Sequence, residues 1–256
     1  MYINNHKLTI TRVINRMNIN THIEKAKSTI STWKQNIHLM PTISDTFEAH
    51  LFVGPINPSA ELQQEFVKFC KTIGLRALNL GLNFEGAGVN TVLQTTKYYK
   101  VPSPLQALEQ MVIDAEKLSE KFDVVRIKLE SLAINDGIPQ SDEEAHAIPG
   151  DTYFEYHIKL KDVDINEEND NKLKALSAKL TKDLNIKVPF SCNNLPDYQR
   201  FLNARTYKLG FQNSYALIDK ITHAIQENGF SIDRIVSEFI AYDTNKALDQ
   251  GWLEFA

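Results

Sequence analysis

Phe47-Glu48-Ala49-His50-Leu51 recurs as Phe154-Glu155-Tyr156-His157-Ile158, and Arg126-Ile127-Lys128-Leu129-Glu130 recurs as Arg234-Ile235-Val236-Ser237-Glu238. Tyr98 is matched with Tyr207, so the three anchors are offset by 107, 108 and 109 residues and keep register. Between them the same order of elements is read twice. In the first stretch Thr46 to Val53 alternates as a strand, and Ser59 to Gly74 carries Leu62, Phe66, Phe69, Cys70 and Ile73 at helical spacing. Strands at Leu75 to Leu82 and Val92 to Lys100, a helix from Pro104 and a strand from Val124 to Ala133 complete it. The second stretch offers strands at Tyr153 to Lys161, Ile186 to Cys192, Phe201 to Leu209 and Ile232 to Tyr242. Its helices run from Asn169 to Leu184 and from Gln212 to Asn228, the latter stopped by Gly229. Each copy is βαββαβ, the split βαβ unit of ferredoxin-like folds. The expected fold class is α+β, two tandem ferredoxin-like repeats forming one pseudo-two-fold body. The expected divisions are an extension over 1–45, repeats over 46–133 and 153–256, and a linker or lid over 134–152.

Strand parity sorts the side chains. Val125, Ile127 and Leu129 point one way and Arg126, Lys128 and Glu130 the other. Phe154, Tyr156, Ile158 and Leu160 likewise oppose Glu155, His157 and Lys159. Helices cover the apolar set, and the charged set has two alternatives. It forms the solvated outer face of an antiparallel sheet, where alternating polar residues are ordinary, or the two sheets close on each other and enclose it in a cleft.

In the cleft reading His50 and His157 are the acid/base candidates, because imidazole titrates near neutral pH. Arg126, Lys128, Lys159, Arg205 and Arg234 are the candidates for binding an anionic small molecule, a phosphate ester or nucleotide, since guanidinium groups match phosphate oxygens in a bidentate way. Glu48, Glu130, Glu155 and Glu238 orient the histidines or, with them, hold a divalent metal as a candidate cofactor; imidazole and carboxylate suit zinc, iron or manganese. The alternative is a binding or scaffold module that uses an open sheet face or the basic N-terminus on a protein partner. Two-lobed phosphoesterases with one His per lobe share the architecture, but their His-x-Thr or His-x-Ser signature is absent here. Glu155-x-His157-x-Lys159 resembles the alternating strand of triphosphate-tunnel enzymes, with a histidine at one acidic position. The stretches Asp136 to Asp142, Tyr153 to Leu160, Arg126 to Glu130, Arg200-Phe201 with Arg205, and Tyr242-Asp243 to Asp249-Gln250-Gly251-Trp252 together resemble a bacterial conserved-domain family of uncharacterised function. That resemblance spans roughly residues 46 to 253 and implies no particular activity.

Composition narrows the rest. The chain has 256 residues, 43% of them hydrophobic, and a formal charge of −4, which speaks against wholesale attachment to nucleic acid or acidic membrane. The first 40 residues are an exception, with six basic groups (Lys7, Arg12, Arg16, Lys25, Lys27, Lys34) against Glu24. They read as a docked helix opened by Thr21 and Glu24 through about Met40, in preference to a targeting segment. No apolar run reaches the roughly 20 residues of a membrane span, no signal-peptide core is present, and no nucleic-acid motif or phosphate-binding glycine loop appears. Cys70 and Cys192 have no metal-clip spacing, consistent with a reducing, cytoplasmic setting. Trp252 and Phe255 are expected to pack back onto the body.

Overall fold

The computed structural model describes residues 21–84, 88–164, 166–192 and 199–249; the basic segment before Thr21 and the aromatic tail with Trp252 and Phe255 lie outside these. The elements are α1 (21–35), β1 (Asp45–Gly54), α2 (Ala60–Thr72), β2 (Arg76–Phe84), β3 (Gly88–Val101), α3 (Pro104–Ser119), β4 (Asp123–Leu132), α4 (Asp142–Ala147), β5 (Tyr153–Lys161), α5 (Glu167–Leu184), β6 (Phe190–Cys192), β7 (Arg200–Tyr207), α6 (Phe211–Glu227) and β8 (Ser231–Asp243).

Local chemistry explains most of the boundaries. The side-chain oxygens of Ser59, Ser103 and Asn166 accept from the backbone N–H groups of Leu62, Gln106 and Asn169, satisfying donors that the first turn of a helix leaves open. Pro104 then sits in the first turn of α3, where its missing N–H costs nothing. Asn185 ends α5 in the left-handed conformation, and Gly229 follows α6 at φ 82°.

All strands among the described residues belong to one antiparallel sheet in the order β2-β3-β1-β4-β8-β5-β7-β6. Within each half of the chain the first and last strands are neighbours, β1 beside β4 and β5 beside β8. The halves meet where β4 pairs with β8, from Lys128↔Asp243 to Leu132↔Glu238, with a register shift after Leu129. The sheet curls until β2 and β6, the ends of this order, approach each other. Eight strands wound in this way leave an interior just wide enough to be filled by side chains.

The outer face carries the helices and the apolar core. Phe47, Leu51, Ile127, Leu129, Phe154, Ile158 and Leu202 from the strands pack with Leu108 and Met111 of α3, Leu173 and Leu176 of α5, and Ile218 and Ile221 of α6. Burying each such side chain contributes about 1.5–3 kcal/mol. α1 belongs to this layer. Ile23, Ala26 and Trp33 are buried, the Trp33 ring meets Tyr242 of β8 edge-on at 5.9 Å, and Lys27 and Lys34 pair with Glu116 and Glu109 of α3 at 2.9 and 2.6 Å.

Three local differences separate sequence reading and structure. The connection over 134–152 contains a helix, α4, announced only by the capping box in which Ser141 and Glu144 bond each other's backbone N–H. That connection is pinned to the body: Phe211 N–H donates to Pro139 O at 2.8 Å, and Gly210 N–H donates to Asp142 Oδ1 at 2.7 Å. Gly137 at φ 83° lies where a Cβ would stand 2.6 Å from Thr42 O, so only glycine fits. β6 is three residues long and begins at Phe190, not Ile186, because Val188 N–H is held by Thr181 Oγ1 and its carbonyl by Ser177 Oγ. Finally, Tyr98 and Tyr207 are not equivalent. Tyr98 pairs with Glu48 across β1 and β3, whereas the residue opposite Glu155 is Arg205, and Tyr207 lies opposite Tyr153.

Candidate functional site

The face turned away from the helices lines the inside of the curled sheet. Of the charged residues placed there by parity, Arg126 is 1% exposed, Lys128 7%, Glu130 4% and Glu155 1%. A solvated outer face is therefore not what this surface is. Burying so many charges is expensive unless each has a partner, and the partners are organised about two matching clusters.

On β1 and β4 Glu48 stands opposite Glu130, and on β5 and β8 Glu155 stands opposite Glu238; a histidine two residues along the strand, His50 or His157, completes each group. Within each triad one ligand atom from every residue lies within 4.8 Å of the others. His50 Nε2 is 3.5 Å from Glu48 Oε1 and 3.3 Å from Glu130 Oε2. His157 Nε2 is 3.7 Å from Glu238 Oε2. Both rings are oriented from behind. His50 Nδ1 lies 3.2 Å from both the backbone carbonyl of Thr95, which accepts from its N–H form, and Thr96 Oγ1, and His157 Nδ1 lies 2.7 Å from Asn203 Oδ1, the amide being held by its bond to Ser191 Oγ. Once Nε2 gives up its proton, a ring anchored through Nδ1–H presents the Nε2 lone pair forward, the usual arrangement behind a metal-binding histidine.

The cations between the triads are all engaged. Lys128 Nζ bridges Glu130 Oε1 at 2.5 Å and Glu155 Oε2 at 2.6 Å, crossing the junction of the two halves. Arg205 donates to Glu155 Oε1 through Nε and Nη2 at 3.2 and 2.9 Å. Arg126 makes a bidentate pair with Asp243, Nε to Oδ1 at 2.9 Å and Nη2 to Oδ2 at 2.6 Å, and stacks over the Phe52 ring. Tyr153 Oη donates a further bond to Asp243 at 2.8 Å. Lys159 pairs with Asp233 at 3.0 Å, and Arg234 is exposed near the end of the strand. Thus Arg126, Lys128 and Arg205, read from the sequence as binders of an anion, each hold a carboxylate of the protein.

These contacts set the protonation states. Burial opposes charge on Glu155, but Arg205 and Lys128 outweigh it and hold the carboxyl well below its ordinary range. Burial likewise works against ionised Glu130, which Lys128 and His50 keep far below normal. Glu238 is raised by burial and by Glu130 nearby. Burial disfavours the His157 imidazolium, yet Glu238 and Glu155 more than compensate and lift it to about 9. Because this folded-state value lies above the ordinary 6.5, the stabilisation from His157 is complete below about 6.5 and is lost as pH rises towards 9. In metal-free protein its ring proton resonances are expected to titrate near 9 by NMR, and a midpoint at or below 6.5 contradicts the Glu238 pairing.

Sequence reasoning missed Asp243, Tyr153 and Asn203. Asn203 was within reach, because it shares strand parity with Arg205; Asp243 was not, because the irregular pairing of β8 breaks the alternation that would place it. Cys70 is buried under α2, its thiol pushed up to about 12 by burial, which leaves it inert.

A scan against family models finds no match to this chain, and a search of curated proteins finds none either. Among solved structures, the small subunit of acetolactate synthase from Thermotoga maritima aligns over 78% of this chain and 97% of its own, at 12% identity and a TM-score of 0.26. A chlorite dismutase variant from Candidatus Nitrospira defluvii aligns over 81% and 94%, at 11% identity and a TM-score of 0.26. A dye-decolorizing protein from V. cholerae aligns over 85% and 99%, at 8% identity and a TM-score of 0.25. Likeness this distant says nothing about chemistry. Among the described residues no helix is long and apolar enough to cross a membrane.

Proposed function

We propose that the two halves are copies of one ferredoxin-like unit, and that their shared interior is the divalent-metal centre of an enzyme acting on a small anionic molecule. The observation that carries this reading is the pair of anchored histidines, each with Nε2 turned towards buried carboxylates. Ligands about 2.1 Å from a tetrahedral ion stand about 3.4 Å apart, and His50 meets its two carboxylates at 3.5 and 3.3 Å. The charge balance points the same way. Glu48, Glu130, Glu155, Glu238 and Asp243 face three permanent cations, Arg126, Lys128 and Arg205, which leaves two negative charges for two imidazolium protons or one divalent ion to neutralise.

One imidazole with carboxylates suits zinc, iron or manganese. Such an ion supplies polarisation of a bound oxygen and a lowered pKa for bound water. His157, its imidazolium favoured by Glu238 and Glu155 and its Nε2 facing Glu238 Oε2 at 3.7 Å, is the proton carrier. With the three inner cations committed to carboxylates, an anion would be held at such an ion, and Lys159 and Arg234, paired across β5 and β8 beyond His157, are the remaining basic candidates. Burial of the charged face counts against the scaffold alternative in its sheet-face form.

Elemental analysis after loading with zinc, manganese or iron tests this. Near-stoichiometric metal is expected in wild type and none in the His50→Ala/His157→Ala double variant. A wild type that retains no metal and shows no thermal shift with any of the three sinks the metal centre; metal without any shift from nucleotides or sugar phosphates sinks the proposed substrate class.

A further inference from the structure

The two triads have the same residues but different neighbours, and the ladder identifies where they differ. Opposite His50 on β4 stands Lys128, whereas opposite His157 on β8 stands Val236. Opposite Glu48 on β3 stands Tyr98, whereas opposite Glu155 on β7 stands Arg205. Both asymmetries deliver positive charge to the same carboxylate. Lys128 Nζ reaches Glu155 Oε2 at 2.6 Å, and Arg205 takes Oε1 at 2.9 Å, so each oxygen of Glu155 already binds a cation. Glu130 differs, because it gives Oε1 to Lys128 while Oε2 remains directed at His50 Nε2, 3.3 Å away. A ligating carboxylate whose second oxygen is hydrogen-bonded is an ordinary feature of metal sites. Glu48 faces His50 and Tyr98, neither of them a permanent cation.

We infer that the protein binds one divalent ion, in the triad Glu48–His50–Glu130, and that Lys128 and Arg205 occupy the matching place in the triad Glu155–His157–Glu238. This deepens the metal-centre reading and rests on it. An ammonium and a guanidinium at Glu155 satisfy its charge, and an incoming divalent ion would have to displace one of them from a site where water cannot replace the lost bonds. The second triad is thus kept as an internal salt-bridge network that supports the first through the shared Lys128.

Metal stoichiometry measured by equilibrium dialysis against zinc and against manganese decides it. Wild type is expected to bind one equivalent, His50→Gln none and His157→Gln one. The double variant Lys128→Val/Arg205→Tyr places valine opposite both histidines and tyrosine opposite both Glu48 and Glu155, removes both cations from Glu155, and is expected to bind two. Two equivalents in wild type, or a single equivalent lost with His157→Gln and retained with His50→Gln, overturn the assignment while leaving a metal centre in place. No metal in wild type overturns the centre itself. Should the Lys128→Val/Arg205→Tyr variant not fold, the two glutamine variants still separate these outcomes.

Discussion

Arg126→Met is expected to lower the free energy of unfolding by about 3–5 kcal/mol, the cost of removing one partner from a buried ion pair. Both side chains of the pair are 1% exposed, and the guanidinium meets both oxygens of Asp243. Deleting it leaves the carboxylate with Tyr153 Oη and Asn245 N–H, in a place that opposes its charge. The double change Arg126→Met/Asp243→Leu is expected to recover most of the loss, because the unpaired charge, and not the missing attraction, is what destabilises. Urea denaturation of the three proteins measures this. A single variant within about 1 kcal/mol of wild type shows that Arg126 is free to serve a ligand, which would restore the role that the sequence suggested for it.

The second large effect separates two glutamates at equivalent ladder positions. Glu155→Gln is expected to destabilise by about 3–5 kcal/mol, because it leaves Lys128 and Arg205 facing a neutral amide in the interior; metal binding is expected to survive in whatever fraction folds. Glu48→Gln is expected to cost less than about 1 kcal/mol, since its side chain is 29% exposed and partly solvated, yet to reduce metal affinity at least tenfold. Denaturation curves and metal titrations on the same two preparations give the comparison. Equal stability losses would show that the triads are electrostatically alike.

How far the sequence alone reaches can be judged from particular elements. The α+β class and an antiparallel sheet were legible because strand and helix periodicities are strong over Phe47 to Val53, Leu105 to Leu118 and Phe154 to Leu160. Period two also placed Glu48, His50, Glu155 and His157 on the face away from the helices. Whether that face was wet or enclosed was not legible. It depends on the pairing of β4 with β8 and on the approach of β2 to β6, contacts between residues far apart in the chain that no local pattern encodes. The same limit hid the partners of the basic residues. Arg126 and Asp243 are 117 residues apart, and a lysine read as a ligand for phosphate looks the same in sequence as one that closes a bridge between two glutamates. α4 escaped because six residues are too few to show a helical period.

The junction of β4 and β8 places matching ladder positions of the two halves within a single polypeptide. A homodimer assembled from one such half would be obliged to carry the same residue on either side of its axis, so a lysine opposite one histidine would face a lysine opposite the other. Here the two codons are independent, and Lys128 stands where its counterpart is Val236. Covalent continuity thereby permits a left and a right side to the paired triads, and on the proposed reading a substrate entering between them would meet a fixed polarity instead of two interchangeable orientations.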